Sequence, residues 1–175
     1  MALRKMWLNI NGANRIFMCD PENDKLSDVL RRLGCTSVKV GCGVGVCGSC
    51  SVILNGEVIR SCTKKIKSVE EYSSVITVEG IGTPMHPHPI QIAFMNNGAI
   101  QCGFCIPGFV VSAYALLEKN LNPTREDVRD HFQKCRNICR CTGYKPIVDA
   151  VMDAAKVMRG DATIADITYD WKGET

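Results

Sequence analysis

Between Lys5 and Ile10 apolar and polar residues alternate, with Met6, Leu8 and Ile10 on one face, the period of a half-buried strand. Asn11-Gly12 follows, a strong short hairpin signal, and Asn14–Cys19 reads as the returning strand. From Asp24 the period lengthens: Leu26, Val29, Leu30 and Leu33 lie on one face of a helix, and Gly34 is placed to end it in a left-handed conformation. Val38–Val40 is a short strand candidate. Gly41–Cys50 holds four glycines and three cysteines in ten residues and cannot be regular structure. Ser51–Leu54 and Glu57–Ser61 flank Asn55-Gly56 as a second hairpin, and Val75–Glu79 is the last strand candidate. A small mixed sheet wrapped over one helix, the β-grasp arrangement, accounts for residues 1–79.

Beyond this the chain changes character. Gly80, Gly82, Pro84, Pro87 and Pro89 mark 80–89 as an extended linker, in which His86 and His88 are expected to be solvent-exposed. Four helices are then predicted, at roughly 89–97, 107–119, 125–135 and 146–159, with Pro89, Pro107 and Pro146 as first helical residues. Thr124-Arg-Glu-Asp127 reads as a capping box, and Ile147, Val151, Ala154 and Met158 form an apolar stripe closed by Gly160. Short connections favour a compact bundle over 90–160, followed by an acidic tail over 161–175. The fold class expected is α+β: an N-terminal β-grasp domain and a four-helix bundle domain.

Composition narrows the chemistry. Of 175 residues 46% are hydrophobic and 22% charged, which argues against disorder. The longest largely apolar stretch, Ile106–Leu117, is broken by Pro107, Gly108 and Ser112 and falls far short of the ~20 residues that span a bilayer. The N-terminus carries no secretory or twin-arginine pattern, so a reducing, cytoplasmic compartment is expected. Lys64-Lys65-Ile66-Lys67 reads as a solvated turn, and no nucleic-acid or membrane partner is expected. Eleven cysteines are an odd number, too many for one catalytic thiol and unable to pair completely.

Eight of those cysteines fall into two groups. Cys42-x4-Cys47-x2-Cys50, followed by Cys62, has the plant-type ferredoxin spacing that holds a [2Fe–2S] cluster. Three thiolates from one tight loop must converge on two irons, and glycines at 41, 43, 45 and 48 let the backbone approach the inorganic sulfur. A structural zinc would favour two Cys-x2-Cys knuckles instead. The second group is Cys102-x2-Cys105 with Cys139-x-Cys141. A thioredoxin-like pair or a zinc knuckle shares its first half, but the flanks look helical and the Cys-x-Cys half is short for zinc. Both halves precede predicted helices, whose N-termini favour thiolates and an anionic cluster, so spacing favours a second [2Fe–2S] site. Each oxidised cluster with its four thiolates carries about −2, which would bring the formal net charge from +3 to about −1 and remove the compositional hint of an anionic partner.

No competing active site is visible. His86, His88 and His131 show no ligand spacing with a carboxylate, and no phosphate-binding glycine loop or nucleophile motif is present. Cys135 lies on the stripe Val128, Phe132, Cys135 and is expected to be a buried structural thiol; Cys19 and Cys35 have no assigned role. Two one-electron centres imply electron transfer, either within a larger enzyme or as a free carrier. A redox sensor is a third reading, for which no output element is apparent.

Three stretches, Gly41-Cys-Gly-Val-Gly-Val-Cys-Gly-Ser-Cys50, Gln101-Cys-Gly-Phe-Cys-Ile-Pro-Gly108 and Cys139-Arg-Cys-Thr-Gly-Tyr-Lys-Pro146, resemble the iron–sulfur portion of the molybdenum hydroxylases, the xanthine oxidase family. The resemblance covers about residues 3–160 and is greatest to the bacterial aldehyde oxidoreductase branch. It implies a plant-type ferredoxin domain and a helical domain with one [2Fe–2S] cluster each. Cys102, Cys105, Cys139 and Cys141 would hold the cluster nearer the molybdenum cofactor, and Cys42, Cys47, Cys50 and Cys62 the outer one. Gln101 matches a glutamine that hydrogen-bonds the pterin, and Cys141 the cluster cysteine beside it. The implied partners are a molybdopterin-binding large subunit or domain, which would carry the catalytic residues, and a flavin subunit, flavodoxin or ferredoxin as acceptor. The substrate would be an aldehyde, or an N-heterocycle or acyl-CoA in other branches. Many members have Gly-Asn where this chain has Arg136-Asn137. The tail from Asp161 resembles a connector towards the molybdenum domains, so the chain could be a small subunit or part of a longer product.

Overall fold

The computed structural model describes residues 3–168 and is α+β. Strands β1 (Arg4–Ile10), β2 (Ala13–Cys19), β3 (Ser51–Leu54), β4 (Glu57–Arg60) and β5 (Ser74–Ile76) form one sheet in the order β2-β1-β5-β3-β4. β1 and β5 run parallel at its centre, and the other neighbours are antiparallel. Both Asn-Gly hairpins form: Asn11, Gly12, Asn55 and Gly56 all have positive φ, as a two-residue turn matching the strand twist requires. Helix α1 (Leu26–Arg32) lays Leu26, Val29 and Leu30 on Met6, Leu8, Val52 and Val75, giving the first core. Gly34 follows it with φ +95°, as expected.

The second core lies among α3 (Pro89–Asn96), α4 (Ile106–Leu117), α5 (Arg125–Lys134) and α6 (Tyr144–Arg159), preceded by the short α2 (Val78–Ile81) and followed by α7 (Ile164–Ile167). Phe94, Phe109, Leu117, Val128, Ile147 and Val151 are buried within it, and Phe109 meets Phe132 edge to face at 4.9 Å. The Thr124–Asp127 capping box opens α5, and Gly160 closes α6 in the left-handed region. The two cores touch where Val111 and Ala115 of α4 pack on Ile53 of β3. Among the described residues no helix is long and apolar enough to cross a membrane.

Several local expectations are corrected. Val38–Val40 is not a strand: the Val38 carbonyl accepts from the Arg31 guanidinium (2.8 Å) rather than from a neighbouring strand. The last strand stops at Ile76. There Thr77 leads into α2, and the Glu79 carboxylate accepts from the Ser37 N–H (2.9 Å) and from the Ser37 and Thr77 hydroxyls. Part of the 80–89 stretch is therefore helical and held to the ferredoxin-like half. His88 is half-buried, not exposed: its Nδ1 caps α3 by accepting from Ile90 N–H (3.2 Å), and its ring meets Tyr114 edge to face. Pro107 and Pro146 are the second and third residues of their helices, which begin at Ile106 and Tyr144. Of the acidic tail, Asp166 caps α7 with Thr163, whereas Asp170, Lys172 and Glu174 lie outside the described residues.

Arg32 grips Asp24 through both carboxylate oxygens (2.8 and 2.6 Å), and this contact, against partial burial, holds the Asp24 carboxyl below its usual range. A depressed carboxylate stabilises the fold above its unfolded pKa, and the contribution fades as pH falls through the lower folded value. Asp24→Asn is expected to cost about 1 kcal/mol near neutral pH and less at acid pH, where the folded-state carboxyl takes up its proton. Denaturant titrations at both pH values check this; an equal loss at both would contradict it.

Candidate metal centres and the seam between them

The loop from Gly41 to Cys50 is wound by three left-handed glycines, Gly43, Gly45 and Gly48, with φ of +68°, +75° and +66°. This winding turns backbone N–H groups inward: those of Val46 and Val44 lie 3.2 and 3.5 Å from the Cys42 sulfur. Partial burial acts to raise the Cys42 thiol, but the N–H groups of Val44, Cys47 and Val46 outweigh it and hold the thiol down at about 6. The loop therefore favours a thiolate before any metal is considered. Cys62 comes from the 3₁₀ turn Ser61–Thr63 that follows β4. Burial, reinforced by the neighbouring Cys50 thiol, pushes Cys62 up to about 11.

The four thiols of this set stand as two pairs. Cys42 neighbours Cys47 at the more accessible side, and Cys50 neighbours Cys62 in the interior, each of these last two 1% exposed. The second set repeats the pattern. Cys105 and Cys139 are buried and adjacent, and burial first, then Cys139, pushes Cys105 up to about 12. Cys102 and Cys141 form the outward pair; the Phe104 N–H lowers Cys102, and Cys102 in turn raises Cys141. Cys105 is the residue capping α4 and Gly143 the one capping α6, so both cysteine segments run into helix N-termini. The Gly143 N–H lies 3.4 Å from the Cys139 sulfur, and the Tyr144 hydroxyl accepts from the Cys139 N–H at 2.9 Å.

Among the described residues no three His, Cys, Asp or Glu side chains surround one point as a single metal ion would need. Pairs of thiols suit a two-iron core, where each iron takes two terminal thiolates, better than a tetrahedral zinc, which gathers four ligands round one centre. Inward-turned N–H groups complement the negative charge of such a core. The donor sets therefore fit [2Fe–2S] clusters. Gln101, exposed beside the second set, has its Nε2 3.2 Å from where a Gly143 Cβ would stand, a point 3.9 Å from the Cys139 sulfur. The other three cysteines, Cys19, Cys35 and Cys135, are buried outside both sets, and Cys135 lies 3.5 Å from His131 Nε2.

The two sets are joined by backbone. The Ile138 N–H donates to the Cys47 carbonyl (3.1 Å), linking a residue of the first set to the neighbour of Cys139 in the second. One residue on, the Gly48 carbonyl accepts from Ser51 N–H (3.1 Å), Ser51 Oγ (2.8 Å) and Asn137 Nδ2 (3.3 Å). Gly108, in the first turn of α4, lies against that same carbonyl, and a Cβ there would collide with it. A Cβ on Gly48 would stand 2.8 Å from the Arg136 carbonyl oxygen. Arg136 occupies the left-handed region at φ +59°, a strain of roughly 1–2 kcal/mol for a residue with a Cβ. This gives the Arg136-Asn137 departure a physical meaning: glycine would adopt that turn without strain. Gly108, Asn137 and Tyr144 stand within stretches noted in the sequence but were given no role of their own there. A glycine in the opening turn of an otherwise apolar helix was the available signal for the first of them.

Comparison with known proteins follows the same division. Residues 8–74 match the 2Fe-2S iron-sulfur cluster binding domain family and residues 77–152 the [2Fe-2S] binding domain family. The chain is 54% identical over 163 residues to an aldehyde oxidoreductase of Megalodesulfovibrio gigas, matching 93% of this chain and 18% of that protein. It is 43% identical over 150 residues to the nicotinate dehydrogenase small FeS subunit of Eubacterium barkeri, covering 85% of this chain and 93% of that subunit. Its fold superposes on the crystal structure of the aldehyde oxidoreductase from Desulfovibrio desulfuricans with a TM-score of 0.94 at 56% identity, over 97% of this chain and 19% of that one. The chain thus spans under a fifth of the aldehyde oxidoreductases and nearly all of the small subunit.

Gly108→Ala is expected to destabilise the chain by about 1–3 kcal/mol while leaving its helix content intact, because the added methyl must push the Gly48 carbonyl off its partners. Chemical denaturation followed by circular dichroism checks this, and unchanged stability would contradict the contact.

Proposed function

The chain belongs to the two-cluster iron–sulfur portion of the molybdenum hydroxylase family, and from that premise we propose the route by which its residues carry electrons. Residues 1–79 hold one [2Fe–2S] cluster through Cys42, Cys47, Cys50 and Cys62. Residues 90–160 hold the other through Cys102, Cys105, Cys139 and Cys141. A [2Fe–2S] cluster, when bound, accepts and releases single electrons without a proton. The observation that carries the reading is that one surface cavity of about 220 Å³ is lined by Cys42 and Cys47 from the first set and by Cys102 and Cys105 from the second.

The helical set is the receiving side. Gln101 and Cys141 stand at its outward edge, where Gln101 would hydrogen-bond the pterin of a molybdenum cofactor held by a partner chain or domain. Ile100, Phe104, Ile138 and Tyr144 expose apolar surface in these same cysteine-bearing segments, 42–46% of each residue, which suits a lasting partner better than a freely diffusing carrier. The partner would bind the substrate, an aldehyde by analogy with the aldehyde oxidoreductases, or an N-heterocycle by analogy with nicotinate dehydrogenase. All eleven thiols are free of disulfides, which suits a reducing cytoplasm.

The first set is the delivering side. Val40, Val44 and Val46 expose 41%, 69% and 46% of their surface at its loop. Lys39 adjoins the loop in sequence, Lys25 reaches its Gly43 carbonyl (3.2 Å), and Arg60 lies beside Gly45. Lys64 and Lys65 lie next to the Lys25 backbone. None of these five cations pairs with a carboxylate among the described residues. An apolar apex with a basic surround fits an acidic one-electron acceptor such as a flavodoxin or ferredoxin.

Reduced protein is expected to show two distinguishable EPR signals. Cys102→Ser or Cys139→Ser should weaken or abolish one, Cys50→Ser or Cys62→Ser the other, and Cys135→Ala neither. Electron delivery to an acidic flavodoxin should slow as salt is added. Loss of a signal in Cys135→Ala, or retention of both unaltered in Cys139→Ser, would overturn the ligand assignment.

A further inference from the structure

Gly41 differs from the other glycines of its loop. Gly43, Gly45 and Gly48 occupy the left-handed region, whereas Gly41 does not, so its backbone conformation gives no reason for glycine there. Space does. A Cβ at Gly41 would stand 3.1 Å from the Cys47 sulfur and 3.2 Å from Cε1 of Phe104. Phe104 belongs to the other set: it lies between Cys102 and Cys105, and the left-handed turn at Gly103 (φ +80°) sets its approach. Its ring edge therefore crosses the seam and rests beside the residue that precedes Cys42. Phe104 also lines the cavity shared by the cysteines of both sets, together with Ile138, the residue bonded to the Cys47 carbonyl. Nearly half of Phe104 is solvent-exposed, and the edge of its ring that reaches Gly41 lies across the seam.

We propose that Phe104, seated on Gly41, is the positioning residue for electron exchange between the two clusters. The proposal rests on the cluster ligands assigned above. The backbone bond from Ile138 to Cys47 and the Asn137 bond to the Gly48 carbonyl hold the two halves in register from one side. The Phe104–Gly41 contact adds a further point of its own, an apolar one that stands in the cavity shared by the two sets and props their separation there. The step it serves is balanced by one electron: the cluster of Cys102, Cys105, Cys139 and Cys141 is oxidised as that of Cys42, Cys47, Cys50 and Cys62 is reduced, with no bond or proton changing place. A fixed separation matters because electron exchange between fixed centres falls steeply with distance.

The test uses the full chain with both clusters, in unmodified form and as Phe104→Ala, Phe104→Leu and Gly41→Ala. Iron content and the two EPR signals are measured first. Their absence from the unmodified chain would overturn the cluster assignment itself, and so is distinguishable from failure of the present proposal. The informative readouts are the magnetic splitting between the two reduced clusters and the rate of electron exchange after photoreduction. Phe104→Ala is expected to keep both signals, change the splitting and slow exchange severalfold. Phe104→Leu, which restores apolar bulk, is expected to recover most of both, and Gly41→Ala to disturb the splitting from the opposite side. Unchanged splitting and rate in Phe104→Ala would overturn the proposal, as would equal effects of alanine and leucine at position 104.

Discussion

The Gly48 carbonyl is the point on which the rest of the molecule turns. It accepts hydrogen bonds from within its own loop and from Asn137 across the seam, while α4 approaches it closely enough that residue 108 must be glycine. One oxygen therefore sets the shape of the first cysteine loop and its position against the helical half. Shifting it would move Cys47 and Cys50 on either side of it, release the Ile138 N–H from the Cys47 carbonyl and change the distance between the two thiol sets. The apolar contact of Val111 and Ala115 with Ile53 supplies area at this interface but little direction. The directional hydrogen bonds at Gly48 supply the register.

Around that seam the chain builds two sites on one plan. Each has a buried pair of thiols and an outward pair, Cys50 and Cys62 with Cys42 and Cys47 outside, Cys105 and Cys139 with Cys102 and Cys141 outside. Burial alone would favour neutral thiols at the inner positions. A cationic two-iron core held by these thiols would reverse that preference, and its binding energy would then also stabilise the fold. Backbone N–H groups reduce the cost at the outer positions, most visibly at Cys42. The common plan arises from unlike elements: a glycine-wound loop and a 3₁₀ turn in one case, two helix N-termini in the other.

Much of this was legible from residue order. Asn11-Gly12 and Asn55-Gly56 act locally and made their hairpins, the four long helices formed within two or three residues of expectation, and the cysteine spacings marked two sets that the fold brings together. What escaped depends on contacts distant in sequence. Val38–Val40 has strand-like residues, but Arg31 takes the Val38 carbonyl. Val78 and Glu79 look like the end of a strand, but Ser37 and Thr77 draw Glu79 into a turn. His88 reads as a linker residue until α4 brings Tyr114 against it. Gly108 and Phe104 have roles only because another loop lies opposite them. Net charge was likewise a poor guide, since a near-neutral total conceals the unpaired cations around the first loop. The molybdenum cofactor and the substrate came from family resemblance and not from residue physics.

Eight thiols, in four pairs, are expected to hold two two-iron clusters. Metal and acid-labile sulfide analysis of the purified chain, with native mass spectrometry, tests it most directly. About four irons and four sulfides per chain are expected, about two of each per cluster, with no stoichiometric zinc. Two irons, or zinc in place of one pair of irons, would contradict it.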